Sequence, residues 1–162
     1  MSSMPCSRNA VMLLPTPHLQ PLVMERKNIQ KLFKQLDKRA RQPFPKSRQH
    51  LEAPATHGVY VIRDSAHAVL HVGRTYRGLN GLSQRLYNHL RGQSSFVQVY
   101  LQDHGRELRD GYTFQYLEVP DNRVRALLEH FATAWHCPKH LGVGVLRKNA
   151  KSNGTKRKAI SH

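Results

Sequence analysis

The period at which apolar residues recur changes several times along the chain, and each change marks an element. From Ile29 they return at Leu32, Phe33 and Leu36, the i, i+3, i+4, i+7 stripe of an amphipathic helix, with Lys27, Lys31, Lys34, Lys38 and Arg41 around it. "HGVYVIRD" and "AVLHVGR" are β-branched runs joined by the polar "SAHA", which predicts a hairpin. Strand alternation places Tyr60 on the opposite sheet face from Val59 and Val61. "GLSQRLYNHLRG" repeats leucine at 82, 86 and 90 and closes on Gly92, a helix with a glycine stop. "SSFVQVYLQDHG" opens on serine and ends on glycine, a second and shorter helix. "GYTFQYLEVP" alternates Tyr112, Phe114 and Tyr116 against Thr113, Gln115 and Leu117, a third strand ended by Pro120. "DNRVRALLEHFATAWHC" starts from an Asp cap and sets Val124, Leu127, Leu128, Phe131 and Trp135 on one stripe.

The predicted order is β-β-α-α-β-α. It describes an α+β domain over residues 57–144, a small, mainly antiparallel three-stranded sheet flanked by helices. Residues 25–56 read as a basic helix followed by the proline-punctuated linker "QPFPKSRQHLEAP". Residues 1–24 are broken by proline and expected to be a disordered leader, and the abrupt change at Met24 suggests that translation starts there. The apolar stretch "AVMLLPTPHLQPLVM" holds three prolines and no A-x-A cleavage pattern, and it is too short to span a bilayer, so no membrane association is expected.

Charge adds a partner class. The chain carries 26 Lys+Arg against 10 Asp+Glu, a formal net charge of +16, as expected of a polyanion binder, with nucleic acid the first candidate. The excess is concentrated in the flanks: residues 57–144 hold 10 basic and 7 acidic side chains, whereas residues 145–162 hold 6 basic and none acidic. The tail "LRKNAKSNGTKRKAISH" therefore reads as disordered and attracted to phosphate. Two cysteines in dissimilar contexts, Cys6 and Cys137, form no disulfide framework and suit a reducing, cytoplasmic setting.

Several side chains are candidates for chemistry. Arg85 and His89, four residues apart, project from one helical face; the first offers a fork of donors to phosphate and the second exchanges protons near neutral pH. Glu129 interrupts the apolar run "RALLEHFATAW", where a carboxylate either reaches solvent or holds a hard cation such as Mg²⁺ or Mn²⁺. The Tyr60 phenol would accept a proton if neighbouring cations or a metal lowered its pKa. His130, His136, Cys137 and His140 lie close enough in sequence to pose a zinc site as an alternative, although no second Cys/His pair stands at finger-like spacing.

Taken together, "GVY", ten residues, "HVG", an Arg/His helix face and a later helical glutamate resemble the GIY-YIG endonuclease superfamily over roughly residues 57–141. The resemblance implies a metal-dependent DNA endonuclease. On the matching positions it implies Tyr60 as general base or orienter of the attacking water, Arg85 as stabiliser of phosphorane charge, and His89 near the nucleophile, as in a restriction-enzyme-like branch. Glu129 is implied as the carboxylate ligand of one divalent metal, Mg²⁺ first and Mn²⁺ second. Arg74, Arg77, Lys31, Lys34 and Lys38 are expected at nucleic acid, and a twofold dimer is expected if both strands of a symmetric site are cut. The chain departs from the pattern twice: His71 stands in place of the second tyrosine, a catalytic candidate that keeps a hydrogen-bonding ring but alters its reach and pKa, and Pro138 is followed by Lys139, His140 and Leu141, without the usual Pro-x-x-Asn asparagine. A catalytically lapsed domain that only binds nucleic acid is the alternative these departures raise.

Overall fold

A computed structural model describes residues 19–142 apart from 48, 77–79 and 103–104; the leader through residue 18, Arg77 and the basic tail lie outside the described residues. The first helix, α1 (Leu19–Asp37), begins earlier than the proline-broken composition suggests. Pro21 falls in its first turn, where a missing N–H forfeits no intrahelical bond. Ile29, Phe33 and Leu36 are buried as the periodicity requires.

The hairpin forms as expected from β2 (Gly58–Arg63) and β3 (Val69–Arg74). Asp64 organises its turn, accepting at Oδ1 from the amide of Ala68 and at its carbonyl from that of His67. The sheet has four strands rather than three, in the order β1-β4-β2-β3, with every pair antiparallel. The added strand is the two-residue β1 (Gln42–Pro43) inside the stretch read as a linker. It lies at the sheet edge beside β4 (Thr113–Glu118), where a proline costs no ladder bond it must donate. Phe44 then buries its ring against Phe114, centroids 4.9 Å apart, and Arg109 donates to the carbonyls of Pro45 and Lys46, which holds the segment in place.

Helices cover both faces. α1 and α3 (Asn122–His136) pack Phe33, Leu36, Leu128 and Ala132 on Val59, Val61, Val72 and Leu117. The other face carries Tyr60, Ile62, Leu70 and Phe114 under Leu82, Leu86 and Leu90 of α2 (Gly81–Leu90). The predicted second helix is a π-helical segment, Phe96–Leu101, ended by Gln102 in a left-handed conformation. Its wider turn lets the consecutive Phe96 and Val97 both enter the core. A 3₁₀ turn, Glu107–Arg109, leads back to β4. Among the described residues no helix is long and apolar enough to cross a membrane.

The Asp121 cap of α3 forms as read, its carboxylate accepting from the Val124 amide at 2.7 Å. The stripe on that helix is rotated from the expected one. Arg125, Leu128 and Ala132 face inward, while Trp135 is 66% exposed, lying along Phe131. The small Ala132 lets the helix approach the sheet closely, and the Arg125 guanidinium finds acceptors inside. It donates to the carbonyls of Thr75, Val119 and Pro120 at 2.7–2.9 Å and to Asn122 Oδ1, tying the end of β3 to the end of β4. Arg125→Ala leaves these buried carbonyls without donors, so it should destabilise the domain by about 3 kcal/mol or more, measured by urea unfolding. Arg125→Lys, a point charge in place of a fork, should recover only part of that loss.

Candidate active site

Two glycines mark close approaches in the sheet, Gly73 between β3 and β2 and Gly58 between β2 and β4, and the first brings candidate residues together. Tyr60 pairs across the ladder with Gly73, and a Cβ there would fall on the Tyr60 hydroxyl. A Cβ on Gly58 would strike the carbonyl of Leu117. At Gly73 only a residue without a side chain allows the Tyr60 ring to lie over the hairpin and reach α2.

There the Tyr60 hydroxyl meets two groups at once. Arg85 Nε donates to it at 3.1 Å, and His89 Nε2 lies 2.8 Å away. His89 Nδ1 in turn is 2.6 Å from Ser94 Oγ, which also accepts from the Val97 amide. His89 is fully buried although it shares a helix with solvent-facing polar residues, because Tyr60 and Ser94 satisfy both ring nitrogens. His71 joins the cluster from β3, its ring stacked on Phe96 at 5.1 Å with 9° between planes and 5.5 Å from His89.

Burial decides the charges. It raises the Tyr60 pKa, outweighing the opposing pull of Arg85, so the phenol is protonated at rest. The neighbouring Arg85 cation therefore does not by itself lower the Tyr60 pKa, because burial outweighs it. Burial also holds His89 well below its ordinary range, with the neighbouring His71 and then the Arg85 cation disfavouring a second proton on it. His71 is pushed down to about 3 by burial and then by His140. Both imidazoles are neutral at pH 7. Arg85 moves the other way, its cation stabilised chiefly by the Tyr60 oxygen.

Glu129 and Arg74 are brought together, but with each other. Arg74 Nε lies 2.8 Å from Glu129 Oε2, with side-chain exposures of 15% and 17%, and the Arg74 guanidinium covers the Tyr76 ring at 4.4 Å. Burial raises the Glu129 pKa despite Arg74. The Glu129 charge is felt at both Tyr60 and Arg85, so the carboxylate borders the same cluster. Its oxygen chemistry suits a hard divalent cation, and one carboxylate with water and phosphate is a common Mg²⁺ set.

Other candidates lie elsewhere. Lys31, Lys34 and Lys38 line an exposed cleft on α1, which packs on the sheet face opposite Tyr60. The four residues of the zinc alternative do not gather: His130 contacts the Ala126 carbonyl, His136 faces Asp37, Cys137 contacts the Ala134 carbonyl and His140 meets His71. Among the described residues no group of three or more His, Cys, Asp or Glu is placed to share a metal ion. Sequence reasoning passed over Ser94 as a helix cap and over His140 as a partner of His71. A serine five residues after a buried histidine was the available signal for the first, whereas nothing local to Pro138–Leu141 announces the second.

Neither the family models nor the curated proteins hold a match to this chain.

Two outcomes follow from this geometry. Gly73→Ala should displace the Tyr60 ring and cost about 1–3 kcal/mol, read by thermal unfolding. Because His71 and His89 are neutral when folded and ordinary when unfolded, the unfolded chain binds more protons below pH 6.5. The His71 contribution is complete above that pH and lost as pH falls toward 3, by about 1.4 kcal/mol per unit, and His89 acts in the same sense. Urea midpoints across that interval check this, and His71→Gln should flatten the slope.

Proposed function

We propose that this chain is a metal-dependent DNA endonuclease of the GIY-YIG kind, hydrolysing phosphodiester bonds. The observation that carries the reading is the convergence of Tyr60, Arg85 and His89 within hydrogen-bonding distance, from two separate elements, beside a Glu129 whose charge reaches them. Hydrolysis needs an oriented water, compensation for charge on the non-bridging oxygens and a stabilised leaving oxygen. Tyr60 orients the water, with His89 and Ser94 fixing the phenol's direction. Arg85, with its cation held firmly, faces the phosphate. Glu129 would hold one Mg²⁺ or Mn²⁺, which supplies Lewis-acid stabilisation of the leaving oxygen when bound. Arg74 would then release Glu129 and turn to phosphate. The basic α1 face, Arg77 and the C-terminal tail would add sequence-independent attraction to the duplex. A twofold dimer accompanies this reading if both strands are cut, in line with a restriction-like role.

The Arg74–Glu129 ion pair favours a second reading, a domain that binds nucleic acid without cutting it, since the pair already neutralises the carboxylate a metal would need. The two are separated by incubating the chain with supercoiled plasmid and Mg²⁺ or Mn²⁺. Nicking is expected, abolished by Glu129→Ala and lowered about 10²- to 10³-fold by Arg85→Ala. Salt-sensitive DNA binding with no nicking in either metal selects the binder.

A further inference from the structure

Two clefts on this chain are built from different chemistry. The one on α1 is lined mainly by Lys27, Lys31, Lys34 and Lys38, cations suited to phosphate. The other lies along the outer side of α2, holds about 400 Å³ and is lined by the carboxamides of Asn80, Gln84, Asn88 and Gln93 together with Arg91. Among the described residues Arg91 is the one charged side chain that lines it. A neutral amide gains little from a phosphate, but it carries a donor and an acceptor side by side, the pattern that pairs with the edge of a base.

The walls of this cleft are fixed by the backbone. Gly81 has a φ of +35°, and a Cβ there would strike the Thr56 carbonyl, so the main chain before β2 lies directly on the start of α2. The amides of Leu82 and Ser83 donate to the carbonyls of Thr56 and Pro54 at 2.8 and 2.9 Å, which brings Ala53 and Ala55 beside the helix as an apolar wall. At the other end the Arg91 guanidinium lies over the Tyr87 ring, 5.5 Å from its centroid. That ring is itself held, its hydroxyl accepting from the Leu51 amide at 3.4 Å and its edge meeting His50 at 5.8 Å. The guanidinium is therefore placed before any ligand arrives. The amides are uncommitted: Asn80 stands at the N-cap of α2 without a side-chain bond to the helix, and within the described residues no hydrogen bond engages the side chains of Gln84, Asn88 or Gln93.

Helical period sets Asn80, Gln84, Asn88 and Arg91 in one row, from the N-cap to the C-cap of α2. Asn88 is three residues from Arg85 and so its neighbour on the helix surface. A helix of this length is about 15 Å long, and the major groove of B-DNA, about 12 Å wide, admits one. Resting on the nuclease reading above, we propose that this face of α2 reads sequence in the major groove of the duplex whose phosphate meets Arg85. Gln84 and Asn88 pair with adenine edges, Arg91 takes guanine O6 and N7 with both arms of its fork, and the alanine wall suits thymine methyls. The lysines of α1, on the other side of the sheet, attract phosphate without discrimination. Specificity and bulk affinity are thereby assigned to different faces of the domain.

The test is binding selection by the full chain, without divalent metal, from duplexes with a randomised core, followed by affinities for the selected duplex and a scrambled one. The wild-type chain should enrich a defined sequence, and methylation of its guanines at N7, in the major groove, should block binding. Asn88→Ala and Arg91→Ala should each lower the ratio of the two affinities about 10- to 100-fold and relax the enriched sequence at one or two positions. A ratio left unchanged by both variants overturns the proposal. A wild-type chain that binds DNA yet enriches no sequence also overturns it, as does binding indifferent to N7 methylation, and neither outcome depends on a variant folding. In each of these cases plasmid nicking by the wild-type chain in Mg²⁺ or Mn²⁺ leaves the nuclease reading standing. A wild-type chain that neither binds nor nicks duplex DNA overturns both.

Discussion

The buried Tyr60 hydroxyl is the constraint around which this domain is arranged. A buried phenol must find partners, and this one finds Arg85 and His89 on the helix above it. Each partner makes further demands. His89 requires Ser94 at its far nitrogen, and the Ser94 hydroxyl in turn accepts from the Val97 amide of the π-helical segment. The sheet, α2 and the π-helical segment are thus locked by one chain of polar contacts, which leucine packing alone would leave free to slide. Gly73 is the condition for it, because any side chain there would occupy the place of the phenol.

Such a cluster is maintained against solvation. Imidazoles and a phenol in the interior stay neutral, and the nearby cation Arg85 reinforces this for the histidines. The arrangement therefore carries acid–base groups whose protons are placed by hydrogen-bond geometry rather than by bulk pH. Perturbed groups gathered around one spot, with an arginine and a carboxylate at the border, make this cluster the candidate site on which the proposed function rests. At its border Arg74 and Glu129 are paired with each other, 2.8 Å apart.

Much of the architecture was legible from local pattern. The stripe at Ile29, Phe33 and Leu36, the hairpin around Asp64, the leucine repeat of α2 and the Asp121 cap all rest on interactions within a few residues, and all are present. The misread elements depend on distant partners. β1 exists because β4 offers it an edge and Phe114 offers Phe44 a surface. Arg125 is buried because Thr75 and Val119 bring carbonyls to it, and Trp135 is left outside because Ala132 takes the inward position.

The candidate site divides the same way. The order of Tyr60, His71, Arg85, His89 and Glu129, and the glycines beside them, is written in the chain, and side-chain period assigns each to a face. Whether they act on one another depends on separations of ångströms between elements far apart in sequence. Tyr60 and His89 are 29 residues apart, and His71 and His140 are 69 apart, yet each pair is in contact. Sequence determined which chemistry is available, because residue type and period are local properties. Only the tertiary structure decided that the phenol is protonated, that Glu129 faces Arg74 and that His140 meets His71, because burial and distance exist only once the layers have packed.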